Sequence, residues 1–199
     1  MTLSSPNRIV WTFFRSLRGI VAEVPKRCDE TEQRDWIVLA VVLSVTAVEA
    51  FLNMYFRILV QDHRYQDHRS MILADLNPLD GAKPKGLEYK LNHWPPKVLG
   101  KSFAFQSGIA CDFNRLRERR NALMHFTTTY ESVHLPGIRI NGLADTACYD
   151  TLTIKDAKNA LRLAEGMLEE TFRLSGVAED HIPHRLHSWT GKPPRVAVG

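Results

Sequence analysis

The stretch TEQRDWIVLAVVLSVTAVEAFLNMYFRILVQD, from Thr31 to Asp62, contains neither glycine nor proline. Read as one helix at 1.5 Å per residue, it reaches on the order of 45 Å, the length of a bundle helix. Between residues 37 and 45 it is apolar almost all round, which places it between neighbours rather than on a surface. Cys28-Asp29-Glu30-Thr31-Glu32 supplies the acidic and capping residues of a helix start. The uncharged run from Trp36 to Val48 stops short of the roughly 20 residues that span a bilayer. A buried helix is therefore expected, with no membrane partner. Glu49, Asn53 and Arg57 follow at i+4 steps and make one polar stripe on this oily rod.

Outward from this helix the chain divides into three further regions. Residues 6–22 predict a short amphipathic helix, with Ile9, Phe13, Leu17, Ile20 and Val21 toward one side and Pro25 ending it. On the far side, a short helix around 66–75 leads into a segment, 76–104, crowded with turn signals: Asn77-Pro78, Asp80-Gly81, Pro84, Gly86, Pro95-Pro96 and Gly100. Only Leu87 to Leu91 suggests one or two helical turns there, so an irregular insert packed on the bundle is expected. Two more helices are predicted over 106–125 and 154–174. The second opens on the capping-box pair Thr153 and Asp156 and closes at Gly176. Between them, Val133 to Tyr149 has the β-branched and turn residues of a short hairpin. The fold class expected is all-α, an antiparallel helical bundle over 29–176, with an N-terminal helical arm at 1–28 and a loose tail at 177–199.

Composition narrows the classes. With 199 residues the chain suits one domain. Its 44% hydrophobic and 24% charged residues exclude a disordered or collagen-like chain. A net charge of +4 is compatible with an anionic partner without demanding one. The three cysteines, Cys28, Cys111 and Cys148, are too widely spaced for a disulfide framework or a zinc site. A reducing compartment is the simpler reading, and the cytoplasm is the expected location. No glycine-rich phosphate loop, nucleophile elbow or paired His-Glu zinc motif is present, and no cofactor or metal is expected. His181, His184 and His187 recur every third residue, but Pro183 opposes a helix there and the stretch reads as tail. His93 and Trp94, beside Pro95-Pro96, read as packing residues.

The densest chemistry lies in Asn114-Arg115-Leu116-Arg117-Glu118-Arg119-Arg120-Asn121-Ala122-Leu123-Met124-His125. Several arginines on a helix usually mark a solvated face. Arg120 departs from that pattern, because it falls four residues after Leu116 and three before Leu123, on the apolar stripe itself. A guanidinium there needs a partner, a wet cavity, or a bundle edge at which to snorkel. Asn121 and His125 share a face at i,i+4 with Arg117, while Arg120 and His125 lie about 140° apart on a straight helix. Either the helix breaks near 121–125, or a second chain completes any site that uses both.

At these residues the sequence resembles the HEPN superfamily, whose signature is an arginine followed after four to six residues by a histidine, often with a polar residue directly after the arginine. Here it reads Arg120-Asn121-Ala122-Leu123-Met124-His125. Ala47 to Asn53 is similar to that family's first long helix, and Leu87 to Leu91 with Trp94-Pro95 and Leu99-Gly100-Lys101 to the segment preceding the motif. The resemblance covers roughly residues 31–175. It implies a helical homodimer whose two motifs face a shared cleft, and a metal-independent endoribonuclease of the toxin or anti-phage type, with an antitoxin or other regulatory partner. On that reading His125 transfers the proton as an RNA 2′-hydroxyl attacks the adjacent phosphate, and Arg120 holds the phosphoryl oxygens. Asn121 positions the phosphate or orients His125. Arg115, Arg117 and Arg119 add RNA-backbone affinity. Glu49 and Asn53 are candidates to support Arg120 across the bundle. The products expected are a 2′,3′-cyclic phosphate and a free 5′-hydroxyl. Where one branch of the family carries a modified tyrosine two residues after the histidine, this chain has Thr127. The alternative, from another class, is a non-catalytic nucleotide- or RNA-binding or dimerisation domain, which the large insert would favour by covering the cleft.

Overall fold

The computed structural model describes residues 7–78, 82–125, 131–143 and 147–193. It is a helical bundle carrying one two-stranded hairpin. The long helix forms as its composition dictates, running Glu30–Leu59 (α2). The Asp29 carboxylate caps it by accepting from the Glu32 backbone N–H at 2.7 Å, and Glu30 and Glu32 place negative charge at its positive end. By length and composition α2 could cross a membrane, yet half of its most apolar window is buried inside the protein.

Preceding it, Arg8–Glu23 (α1) turns through a short 3-10 helix containing Pro25 and folds back along α2. Val10, Phe14 and Leu17 are fully buried. The N-terminal segment is thus part of the core rather than an arm beside it.

Ile154–Leu174 (α7) is the second central helix, with the capping box the sequence predicts. The Asp156 carboxylate accepts from the Thr153 backbone N–H at 2.8 Å and from its hydroxyl at 2.7 Å. Leu152 to Lys155 lie beside Glu30 to Arg34, while Phe172 meets Phe51 and Tyr55 farther along. The two central helices therefore run parallel. Gly108–His125 (α5) runs antiparallel to both: Ile109 touches Gly166, and Arg119 reaches Asp156. Its buried face is Ala110, Phe113, Leu116 and Leu123.

Two further regions differ from expectation. Within the insert, Arg69–Leu76 (α3) is followed by Leu87–Leu99 (α4), a full helix that continues through Pro95 and Pro96. Each proline removes an intrahelical N–H donor, so local propensity opposes this helix and tertiary contacts hold it. Trp94 is fully buried, and its indole N–H donates to Asp75 Oδ2 at 2.9 Å. Lys90, only 3% exposed, donates to Glu49 Oε1 of α2 at 2.8 Å. His93 stacks on Tyr89 with ring centroids 4.1 Å apart. Trp94 is thus a packing residue, while His93 is exposed and lies against its own helix.

The expected loose tail is likewise an element. Ile182–Thr190 (α8) has Pro183 in its first turn and Gly191 at its C-cap with φ 70°, positions where those two residues suit a helix. Ile182, Leu186 and Trp189 are buried, and Trp189 sits edge-on to Phe51 at 5.1 Å. Such an aromatic pair adds about 0.5–1.5 kcal/mol beyond its buried area. At the bundle's flank Glu165, 7% exposed, accepts from Arg18 of α1 at 3.3 Å and from Lys192 at 2.6 Å. Arg18 also donates to the Thr190 carbonyl. One buried carboxylate thereby ties α1, α7 and the end of α8 together.

The expected hairpin is present as Glu131–Leu135 (β1) and Ile138–Leu143 (β2), paired antiparallel across Pro136-Gly137. Gly137 takes φ 82°, as the third residue of a proline-led tight turn requires. Ala147–Asp150 (α6) then leads into α7.

Candidate functional site

α5 ends where α2 and α7 begin, and three contacts fix that end. Arg119 is ion-paired with Asp156 at 2.5 Å and donates to Thr151 Oγ1 at 3.4 Å. Cys148 lies with its Sγ 3.9 Å from the Arg119 carbonyl. Tyr149 crosses to α2, donating to Asp35 Oδ1 at 2.7 Å. That bond to a carboxylate holds the Tyr149 phenol above its usual range. Burial works to raise the Asp156 carboxyl, but the hydrogen bonds from Thr153 and the charge of Arg119 outweigh it and hold the group below its ordinary value.

The four arginines of α5 have different surroundings. Arg115 is exposed and pairs with Asp112 of its own helix at 3.5 Å. Arg117, 12% exposed, pairs with Glu88 of α4 at 2.8 Å and donates to Asn114 at 3.1 Å. Arg119 is committed to Asp156. Arg120 alone in α5 has no carboxylate partner among the described residues. Its Nη1 donates to Asn121 Oδ1 at 3.1 Å, and its Nε is buried with no hydrogen-bond partner. The three arginines expected to add RNA affinity are thus largely neutralised in place, while the arginine of the motif has no ion pair among the described residues.

Of the two residues expected to support Arg120, Glu49 does something else: it pairs with Lys90 and pins α4 to α2. Asn53 is half-buried, and its Oδ1 is buried without a hydrogen-bond partner. Buried orphan polar atoms are uncommon in folded proteins and mark places where local stability is given up.

α5 remains helical through His125. The backbone therefore sets Arg120 and His125 on different sides of one rod, about 140° apart, and the break near 121–125 that would bring them together within one chain does not occur. The His125 side chain lies outside the described residues, as does Thr127. Met124 beside it is 49% exposed.

Sequence reasoning missed Lys90, Asp75 and Glu165, the buried charged residues that hold the bundle. Each is an ordinary charged residue in the sequence, and only its fold partner reveals its role. Comparison with protein-family models, with curated proteins and with solved structures finds no match.

Proposed function

We propose that the chain is a HEPN-type, metal-independent endoribonuclease that acts as a homodimer. What supports the reading above all is Arg120: a guanidinium at the end of a packed helix, next to Asn121 and five residues before His125, with no carboxylate partner among the described residues. Its three neighbours on α5 each have one. A positive charge left unpaired is costly unless a ligand supplies the anion, and phosphoryl oxygens match the planar fork of an arginine.

In the reaction, the 2′-hydroxyl of RNA loses its proton to the His125 imidazole and attacks the neighbouring phosphorus. The P–O5′ bond breaks, and the 5′ oxygen leaves as a hydroxyl after taking up a proton. Arg120 stabilises the charge that gathers on the phosphoryl oxygens, and Asn121 holds the guanidinium. Because α5 stays helical, His125 acts together with Arg120 of a second copy across a two-fold cleft, and exposed Met124 offers apolar surface at that junction.

The test incubates wild-type and His125→Ala protein with total RNA in EDTA. Cleavage by the wild type alone, leaving 2′,3′-cyclic phosphate ends, is the expected result. Equal inertness of both, with nucleotide retained on the protein, would replace the enzyme with a binding domain of the same fold.

A further inference from the structure

Among the described residues, positive charge without an ion pair is found away from the motif as well. From Asn7 to Ala22 the chain has no Asp or Glu, and neither has it from Ile182 to Pro193. These two segments, α1 and α8, form the walls of a groove of about 700 Å³. Arg8, Trp11, Thr12 and Arg15 line one wall, and His187 and Ser188 the other. Glu165, the carboxylate that joins α1 to the chain just after α8, is already taken by Arg18 and Lys192. Arg8 and Arg15 have no ion pair among the described residues.

The spacing on α1 is regular. Arg8, Trp11, Thr12 and Arg15 fall at steps of three, one and three, within about 100° of helix circumference. The two arginines are about 10 Å apart along the axis, with the indole between them. Trp11 is 50% exposed, although a tryptophan that merely packs would be covered. Its Nε1 edge lies against Gly191 of the facing wall, so close that no Cβ fits there. On the facing wall the Nδ1 of His187 lies 2.9 Å from the Lys192 carbonyl; donating to it leaves Nε2 toward solvent.

From this arrangement we infer that the α1–α8 groove binds a single-stranded polynucleotide, with Arg8 and Arg15 on successive stretches of the phosphate backbone and a base stacked on Trp11. Cations interleaved with an aromatic platform are what sequence-tolerant strand binding requires. The concave shape between two helices fits a chain; a bilayer would need the apolar residues on one convex face, and Ile9 lies about 100° round the helix from Arg8. The inference goes beyond the cleavage reading, and strand binding here does not depend on it.

The experiment uses full-length His125→Ala protein, so that no strand is cut, and a fluorescein-labelled oligouridylate of about 12 nucleotides. Anisotropy is read between about 50 and 200 mM salt. Arg8→Gln with Arg15→Gln should weaken binding at least tenfold at the lower salt and flatten the log K against log salt slope by about 1.4, at about 0.7 per lost contact. Trp11→Ala should weaken it about tenfold while Trp11→Phe keeps most of the affinity; circular dichroism checks that each variant is folded, and the double glutamine variant carries the test if Trp11→Ala is not. In parallel, vesicles of phosphatidylserine and phosphatidylcholine replace the oligonucleotide. Absence of oligonucleotide binding, binding that the double variant leaves unchanged, or capture by vesicles but not by oligonucleotide would each overturn the inference. In the His125-containing protein, the double variant should still cut a dinucleotide at the wild-type rate, which separates failure of this groove from failure of the motif.

Discussion

On α5, Arg115, Arg117 and Arg119 each hold a carboxylate, whereas on α1 Arg8 and Arg15 hold none among the described residues and face an open groove. The α5 arginines are denser in sequence, and read alone they look like the nucleic-acid face of the molecule. Their surroundings reverse that reading. A guanidinium already bonded to Glu88 or Asp156 must break an ion pair before it can meet a phosphate, so its charge serves the fold. Density of charge along a chain therefore says less about binding than the whereabouts of the opposite charge, and in α5 Arg120 is the one arginine without an ion pair among the described residues.

The contrast can be broken at several points. The largest effect is expected at the motif: Arg120→Ala should lower RNA cleavage roughly a thousandfold without moving the melting temperature by more than a few degrees, as measured by release of cyclic-phosphate ends and by thermal melts. Glu165→Ala should act in the opposite sense, destabilising the protein by about 3 kcal/mol because Arg18 and Lys192 lose their common partner. Urea unfolding would show this as a lowered midpoint with cleavage retained in the folded fraction. Arg119→Ala should cost about 1 kcal/mol through the loss of its partly buried pair with Asp156. Because the Asp156 carboxyl is held below its ordinary value, this contribution is complete at neutral pH and is lost as the pH falls below about 4 toward the depressed folded-state value. Urea midpoints taken across that range should converge for wild type and Asp156→Asn at the acidic end. Smallest of all, Arg115→Ala should change neither stability nor oligonucleotide affinity by more than about twofold, since its pair is exposed. A large loss of affinity there would return the binding surface to α5.

Most of the architecture could be read from local signals. The long helix was legible because glycine and proline are absent from it and because Asp29 caps it, and the Thr153–Asp156 capping box located the start of α7. α4 was not legible: Pro95-Pro96 argues against a helix, and the arguments for one, Trp94 on Asp75 and Lys90 on Glu49, come from other parts of the chain. α8 carries its own evidence in Ile182, Leu186 and Trp189 at steps of four and three, with Pro183 in the first turn and Gly191 closing it, but a proline read without its position in the helix argues for a break. In the candidate site, the position of Arg120 on the apolar stripe was readable from spacing. The commitment of Glu49 to Lys90 was not, because an ion pair between distant helices leaves no periodic trace.

The contact between α5 and α7 has a mechanical consequence. At Gly166 a side chain is missing, and Ile109 fills the space so closely that a methyl there would lie 3.1 Å from two of its carbons. Arg120 lies about 16 Å farther along the same rod, beside the Arg119–Asp156 ion pair that pins the far end of α5. A methyl at Gly166 would therefore have to be absorbed by the Ile109 side chain or by a shift of α5 short of that ion pair.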